Sequence, residues 1–314
     1  MEIETTKIFN KAKEWIGRSM IERFYQKLAR KLGATFHLYR GNDWWFDGLT
    51  IPYLKIDRGL PKTLIHLHGF TDRKESFLPT AEHLLESFNI ILPDMPGFGK
   101  TYKCPSLFYS LDNYAHWLKE FITNTVYSPV WLSGNSLGGA TASRIAFDRP
   151  DFIELCIPIN PAFYYNPGPN PLYEEYVKDD FLFVMNDKKD YERYLERVFH
   201  KEIKPIPFMT NAAMTESIRN RFWYQYVAKQ NTKDIEMDLE KLSKTDFFLN
   251  RRLKDTKTPF HFIWGENDSL FLWETVKHLK DIQPNIDYSI IKQCGHAPHL
   301  EKSKQLAEKI NRLI

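Results

Sequence analysis

Gly134-Asn135-Ser136-Leu137-Gly138 is the stretch of this sequence best equipped for covalent chemistry. It fits Gly-x-Ser-x-Gly, a sharp strand-to-helix turn with one serine at its apex. The apolar run Val130, Trp131, Leu132 before it reads as a short buried strand, and an alanine-rich helix is expected from Leu137 to about Asp148. Glycines two before and two after the serine let strand and helix approach closely. A strained backbone at the apex lifts the hydroxyl clear of the sheet, and the positive end of the following helix lies beneath it. This is the setting of a serine nucleophile.

A serine hydroxyl is a weak nucleophile at neutral pH and needs an adjacent base, itself oriented by a third group. Two later segments, Trp264-Gly265-Glu266-Asn267-Asp268 and Cys294-Gly295-His296-Ala297-Pro298, each follow an expected strand. Residues just past the carboxyl ends of parallel strands share one edge of an open sheet, so Ser136, Asp268 and His296 are expected to meet there. His296 would carry the proton, while Asp268 would fix its tautomer. Glu266 is the rival for the place of Asp268, and His299, next to Pro298, is expected to be structural. The oxyanion would be held by the backbone N–H groups of Phe70 and Leu137, a donor of this kind contributing about 2.7–4 kcal/mol. His66 and His68 alternate on a strand, but no carboxylate or cysteine at ligand spacing joins them, so no metal is expected. Cys294 is read as a loop-packing residue. Gly99-Lys100-Thr101 mimics the end of a phosphate-binding loop. Asp94 stands where that motif needs glycine, and Tyr102-Lys103-Cys104-Pro105 where it needs a helix, which excludes it.

The elements that must position these groups follow from periodicity. Residues 5–32 repeat apolar side chains (Ile8, Ala12, Trp15, Ile16, Met20, Phe24, Leu28, Leu32) at helical spacing, with lysines and arginines over much of the rest. Such a basic amphipathic helix suits either an anionic membrane surface or packing on its own domain. Strands are expected at 34–40, 49–57, 63–67, 89–93, 130–132, 153–159, 259–264 and 286–292. Helices are expected at 75–86, 111–124, 137–148, 271–280 and 299–313. Strands alternating with helices argue for a largely parallel, doubly wound sheet covered on both faces. The alternation breaks at Pro158, Pro161, Pro167, Pro169 and Pro171. From there the aromatic-rich residues 162–255 read as an inserted helical cap, with helices at 187–199, 210–229 and 232–253. The expected organisation is an N-terminal amphipathic helix at 1–33, a core at 34–161 and 256–314, and the cap.

Five motifs carry a family resemblance: His68-Gly69-Phe70-Thr71, Asp94-Met95-Pro96-Gly97-Phe98-Gly99, Gly134-Asn135-Ser136-Leu137-Gly138-Gly139, Trp264-Gly265-Glu266-Asn267-Asp268 and Cys294-Gly295-His296. On these the chain resembles the α/β-hydrolase fold superfamily from about residue 34 onward, and within it the monoacylglycerol-lipase-like esterases. Asn135, where many relatives carry histidine, also occurs in the carbon–carbon bond hydrolases of aromatic ring degradation. The resemblance implies Ser136 as nucleophile with Asp268 and His296, a covalent acyl-enzyme and no cofactor. Residues 1–33 and the cap match it least.

Composition sets the remaining bounds. Lys and Arg total 43 against 40 Asp and Glu, a net charge of +3, which predicts no attraction to nucleic acid. Three scattered cysteines suit a reducing compartment, and a soluble, cytoplasmic chain without a signal peptide is expected. The expected substrate is a small apolar ester, lipid-like and of the monoacylglycerol kind, with peripheral membrane contact through residues 5–32. Two rivals remain at this level. One is a carbon–carbon hydrolase, whose acidic substrate would need a cationic clamp and for which the elbow region offers only Arg144. The other is a non-catalytic ligand receptor on the same fold.

Overall fold

The structure, a computed structural model, describes residues 20–41, 49–178, 180–200, 207–232 and 239–314. The first 19 residues of the expected amphipathic helix and the loop at 42–48 lie outside the described residues. Helix α1 spans 20–31, and the strands β1 (Thr35–Arg40), β2 (Thr50–Ile56), β3 (Thr63–Leu67) and β4 (Asn89–Pro93) follow, with α2 (Leu78–Ala81) between β3 and β4. Next come α3 (Leu111–Thr125), β5 (Val130–Asn135), α4 (Leu137–Asp148) and β6 (Ile153–Ile159). Five helices then run without a strand: α5 (Pro171–Val177), α6 (Lys188–Val198), α7 (Pro207–Asn231), α8 (Leu239–Leu242) and α9 (Asn250–Leu253). The chain finishes with β7 (His261–Gly265), α10 (Thr275–Ile282), β8 (Asp287–Ile291), α11 (Pro298–Glu301) and α12 (Ser303–Asn311).

Among the described residues the strands form one eight-stranded sheet in the order β1-β2-β4-β3-β5-β6-β7-β8. β2 runs antiparallel to both its neighbours, and every other pairing is parallel. Buried on both faces, the central strands read as continuous apolar runs. Their alternate side chains divide between two cores. Ile65, Leu67, Ile91 and Leu132 join the one beneath α3, α4 and the cap. Leu64, Ile90, Leu92 and Trp131 join the other, shared with Tyr25 and Leu28 of α1 and with α2 and α12. The expected doubly wound, mostly parallel sheet is therefore the one present.

Three expected helices are broken in the structure, and that at 299–313 divides into α11 and α12 at Lys302, whose φ of −138° and ψ of 43° are not helical. Residues 75–86 form a 3-10 turn (Lys74–Phe77), the single turn of α2 and further turns. Pro79 supplies no N–H to continue a ladder, and Lys74 is drawn away to Asp94. Over 232–253 only α8 and α9 are helical among the described residues. Between them Leu249 N–H turns to Phe163 O at 2.8 Å, and the Asn250 amide binds both the N–H and the C=O of Tyr165 at 2.8 and 3.0 Å. Tertiary hydrogen bonds outcompete helical ones there.

Candidate active site

β5 passes directly into α4, and Ser136 at the junction takes φ 55° and ψ −119°. A side chain held there costs about 1–3 kcal/mol, and the surroundings fix it. Ser136 N–H donates to Ile159 O at 3.0 Å, while its carbonyl accepts from Ala140 and Ala162 N–H at 3.0 and 3.1 Å. The flanking glycines are required by close approach. A Cβ on Gly134 would stand 2.3 Å from Gly138 O, and one on Gly138 2.1 Å from Leu67 O.

Asp268, just past β7, is buried and fully used. Its Oδ1 accepts the N–H groups of Leu270 and Phe271 at 2.9 and 3.2 Å, and its Oδ2 lies 2.9 Å from His296 Nδ1. Glu266, the rival carboxylate, is exposed and accepts from Gln293 N–H at 3.3 Å. The Asp268 Oδ2 also accepts from Asn160 Nδ2 at 2.6 Å, and Asn160 Oδ1 accepts Gly265 N–H at 3.2 Å. Asn160 thus bridges the end of β7 to the carboxylate. Its placement one residue past β6, on the same sheet edge, was the signal available in the sequence.

The loop carrying His296 is gripped from three sides. His296 N–H donates to Val198 O at the end of α6 at 2.7 Å, Gly295 N–H to Glu301 Oε2 at 2.9 Å, and Asn135 Nδ2 to His296 O at 3.0 Å. The end of α6 also holds the other loop, because Arg197 Nε and Nη2 reach Ser269 Oγ and O, both at 3.0 Å. Ser136 and His296 line one cavity of about 80 Å³ with Asp72, His299 and Tyr194. Among the described residues they share this space without a hydrogen bond between them; such bonds are often long until substrate arrives.

A second cavity of about 50 Å³ meets Ser136 from the other side, lined by Phe70, Leu137, Leu172, Tyr173 and Phe183 among others. Phe70 and Leu137 stand beside Ser136 there, and neither backbone N–H donates to a protein acceptor among the described residues. The loop before Phe70 is anchored by His68, whose Nδ1 donates to Gly69 O at 2.8 Å and whose Nε2 accepts Met95 N–H at 2.9 Å. His66 lies 2.9 Å from Ser133 Oγ through Nδ1 and stacks on Phe77 at 3.7 Å. Burial, aided by nearby His299, holds its pKa well below 6.5.

Cys294 is buried, and its thiol is pushed up by burial, as befits packing. Gly99, part of the rejected phosphate-loop mimic, makes room for a carboxylate: a Cβ there would stand 2.1 Å from Asp94 Oδ1. Arg144 is held by Asp112 at 2.7 Å and Asp148 at 2.6 Å. It lines a different cavity from Ser136, which leaves no clamp at the elbow. His299 is buried beside a carboxylate. Its Nε2 lies 3.2 Å from Asp72 Oδ2, which also accepts from Ser76 Oγ at 2.7 Å. Burial alone would raise the Asp72 carboxyl, but the His299 hydrogen bond and the charges of His299 and His68, with Ser76, bring it down to about 2.

A strained serine between β5 and α4, with a carboxylate and a histidine after the last two strands, is the arrangement of a known fold. A family model described as alpha/beta hydrolase fold matches residues 62–303. The chain belongs to that family. This alpha/beta hydrolase is 26% identical over 263 residues to Lipase 3 of Moraxella sp. (strain TA144), with 83% of the chain and 80% of the relative covered. It is 26% identical over 251 residues to Lipase 1 of Psychrobacter immobilis, covering 78% and 74%. The solved structure of a membrane phospholipase A, described as a bacterial virulence factor, superposes with a TM-score of 0.84. Its identity to the alpha/beta hydrolase is 18%, over 99% of this chain and 95% of that one, a likeness of fold.

Proposed function

We propose that the protein is a serine hydrolase that cleaves carboxylic esters of lipid-like acyl groups, of the monoacylglycerol kind, through an acyl-enzyme on Ser136. The observation that carries this reading is the strained Ser136 facing the same cavity as a histidine already oriented by a buried carboxylate. The names of the two lipase relatives support it.

His296 Nε2 takes the Ser136 proton as Oγ attacks the ester carbonyl carbon, and the Phe70 and Leu137 N–H groups receive the oxyanion. Asp268 stabilises the imidazolium. Collapse of the intermediate breaks the bond to the alcohol oxygen, which leaves with the proton from His296. A water then gives a proton to His296 and attacks the acyl carbon; the acyl–Oγ bond breaks, the acid departs and His296 returns the proton to Ser136 Oγ. Since His296 must reach the departing oxygen, the alcohol occupies the cavity that contains His296. The acyl chain occupies the apolar one lined by Leu137, Leu172 and Tyr173. The reading includes peripheral contact with an anionic membrane through residues 5–32. Of these, α1 exposes Met20 and Phe24 beside Arg23, Lys27, Arg30 and Lys31.

The test is hydrolysis of p-nitrophenyl acyl esters and monoacylglycerols of graded chain length, together with labelling by a fluorophosphonate probe. Ser136→Ala is expected to abolish labelling and to lower turnover by 10³-fold or more, on the order of what loss of a nucleophile costs. Activity like that of the wild type in this variant would remove the proposal.

A further inference from the structure

The cavity assigned to the departing alcohol holds a single carboxylate, hydrogen-bonded on one oxygen to His299. Among the residues lining it, Asp72 is the one carboxylate, and no lysine or arginine is present. Both hydrogen-bond partners of the side chain, Ser76 Oγ and His299 Nε2, fall on Oδ2, so Oδ1 accepts no hydrogen bond among the described residues. Arg73, the nearest cation along the chain, is committed to Glu216 at 3.0 Å and does not line the cavity. The carboxyl is ionised well below neutrality.

From this geometry we infer that Asp72 selects the leaving group: it admits alcohols carrying hydroxyl or ammonium groups near the ester and rejects those carrying phosphate or carboxylate. The inference rests on the ester-hydrolase reading of the same site. An ionised oxygen with an open acceptor position accepts a hydrogen bond from a substrate hydroxyl and attracts an ammonium. An anion brought within a few ångströms in a partly desolvated cavity is repelled much more strongly than in water. Asp72 touches neither the scissile bond nor the acyl group, so its effect falls on the comparison between alcohols rather than on the chemical steps they share.

Three esters with the same acyl chain and different charge near the ester test this: octanoylcholine, 1-monooctanoylglycerol and 1-octanoylglycerol 3-phosphate. With the full chain, kcat/KM is expected to be lower for the phosphate ester than for the other two by about tenfold or more. Asp72→Asn keeps an acceptor for Ser76 and His299 and is expected to compress the spread among the three to within about threefold. Loss of a merely structural contact would lower all three alike and leave the ratios unchanged, and that result overturns the proposal. So does a wild type that hydrolyses all three equally, a measurement that stands whether or not the variant folds. If none of the three is hydrolysed, the ester-hydrolase reading fails, and the selectivity falls with it.

Discussion

Asn160 shows how much of a site rests on a residue without chemistry of its own. At φ 44° it sits in a backbone region that side chains adopt sparingly. Its amide is spent in two directions, on Gly265 N–H and on the Asp268 carboxylate. Asn160→Ala should leave that carboxylate free to swing from the His296 ring. The expected outcome is a fall in kcat of about 10- to 100-fold with KM little changed, since small misplacements of a catalytic group cost that much. Steady-state kinetics on a short acyl ester check it, and a rise in KM with kcat unchanged would assign Asn160 to substrate binding instead.

At the scale of elements, the site is an agreement among chain segments far apart in sequence. The end of α6 fixes the loops of both Asp268 and His296 through Arg197 and Val198. The turn after β4 is fixed by Lys74, fully buried, whose Nζ stands 2.6 Å from Asp94 Oδ2 and 2.9 Å from Glu75 Oε1. Asp94 also accepts the backbone N–H groups of Lys74 and Lys100 at 2.9 and 3.0 Å. Removing one partner of a buried pair strands the other charge. Lys74→Met should therefore lower unfolding stability by about 3–5 kcal/mol, and the double variant Lys74→Met/Asp94→Asn should recover part of the loss. Urea titrations of the two variants and the wild type measure both effects.

At the scale of the whole molecule, Leu172, Tyr173, Tyr194 and Ala228 from the helices between β6 and β7 line the space around Ser136. The two cavities that meet at the serine hold about 80 and 50 Å³, whereas sites for drug-sized ligands hold about 300–1,000 Å³. On the proposed reading, a long acyl ester needs these helices to move. α7 is tied to the core by Trp223 Nε1 to Gly97 O at 2.8 Å and Tyr226 OH to Pro105 O at 2.6 Å. Among the described residues no helix is long and apolar enough to cross a membrane; the membrane contact proposed above is a peripheral one. If α1 makes it, Lys27→Gln should weaken co-sedimentation with anionic vesicles about fivefold, a charge near such a surface contributing about 1 kcal/mol. Neutral vesicles should show no difference.

Folding stability should also depend on pH through His66. Its folded pKa lies well below 6.5, so the unfolded chain binds a proton that the folded one refuses. The stabilisation is complete above about 6.5 and declines as the pH falls below it, by up to about 1.4 kcal/mol per pH unit for one such group. His66→Asn should flatten the slope of stability between pH 7 and 5. His261, whose pKa is also lowered by burial, should keep part of it. Asp72 acts in the same sense but outside this window, since its depressed carboxyl loses its contribution only as the pH falls below the ordinary carboxylate range towards about 2.

The sequence by itself determined whatever is encoded within a few consecutive residues. The glycine-framed Ser136, the alternation of apolar strands with helices, and the positions of Asp268 and His296 just past two strands all follow from turn chemistry and periodicity. These local signals brought the pieces of the candidate site to one sheet edge. Only the tertiary structure decided which polar side chains face one another across that edge. Asn160 on Asp268, Asp72 beside His299, and the Asp94 carboxylate on Lys74 are pairings between segments set apart in the chain. The same holds where Leu249 and Asn250 abandon a helix for the backbone of Phe163 and Tyr165. A hydrogen bond of that kind has no periodicity to read, because its partner is set by packing of the whole sheet and cap rather than by neighbouring residues.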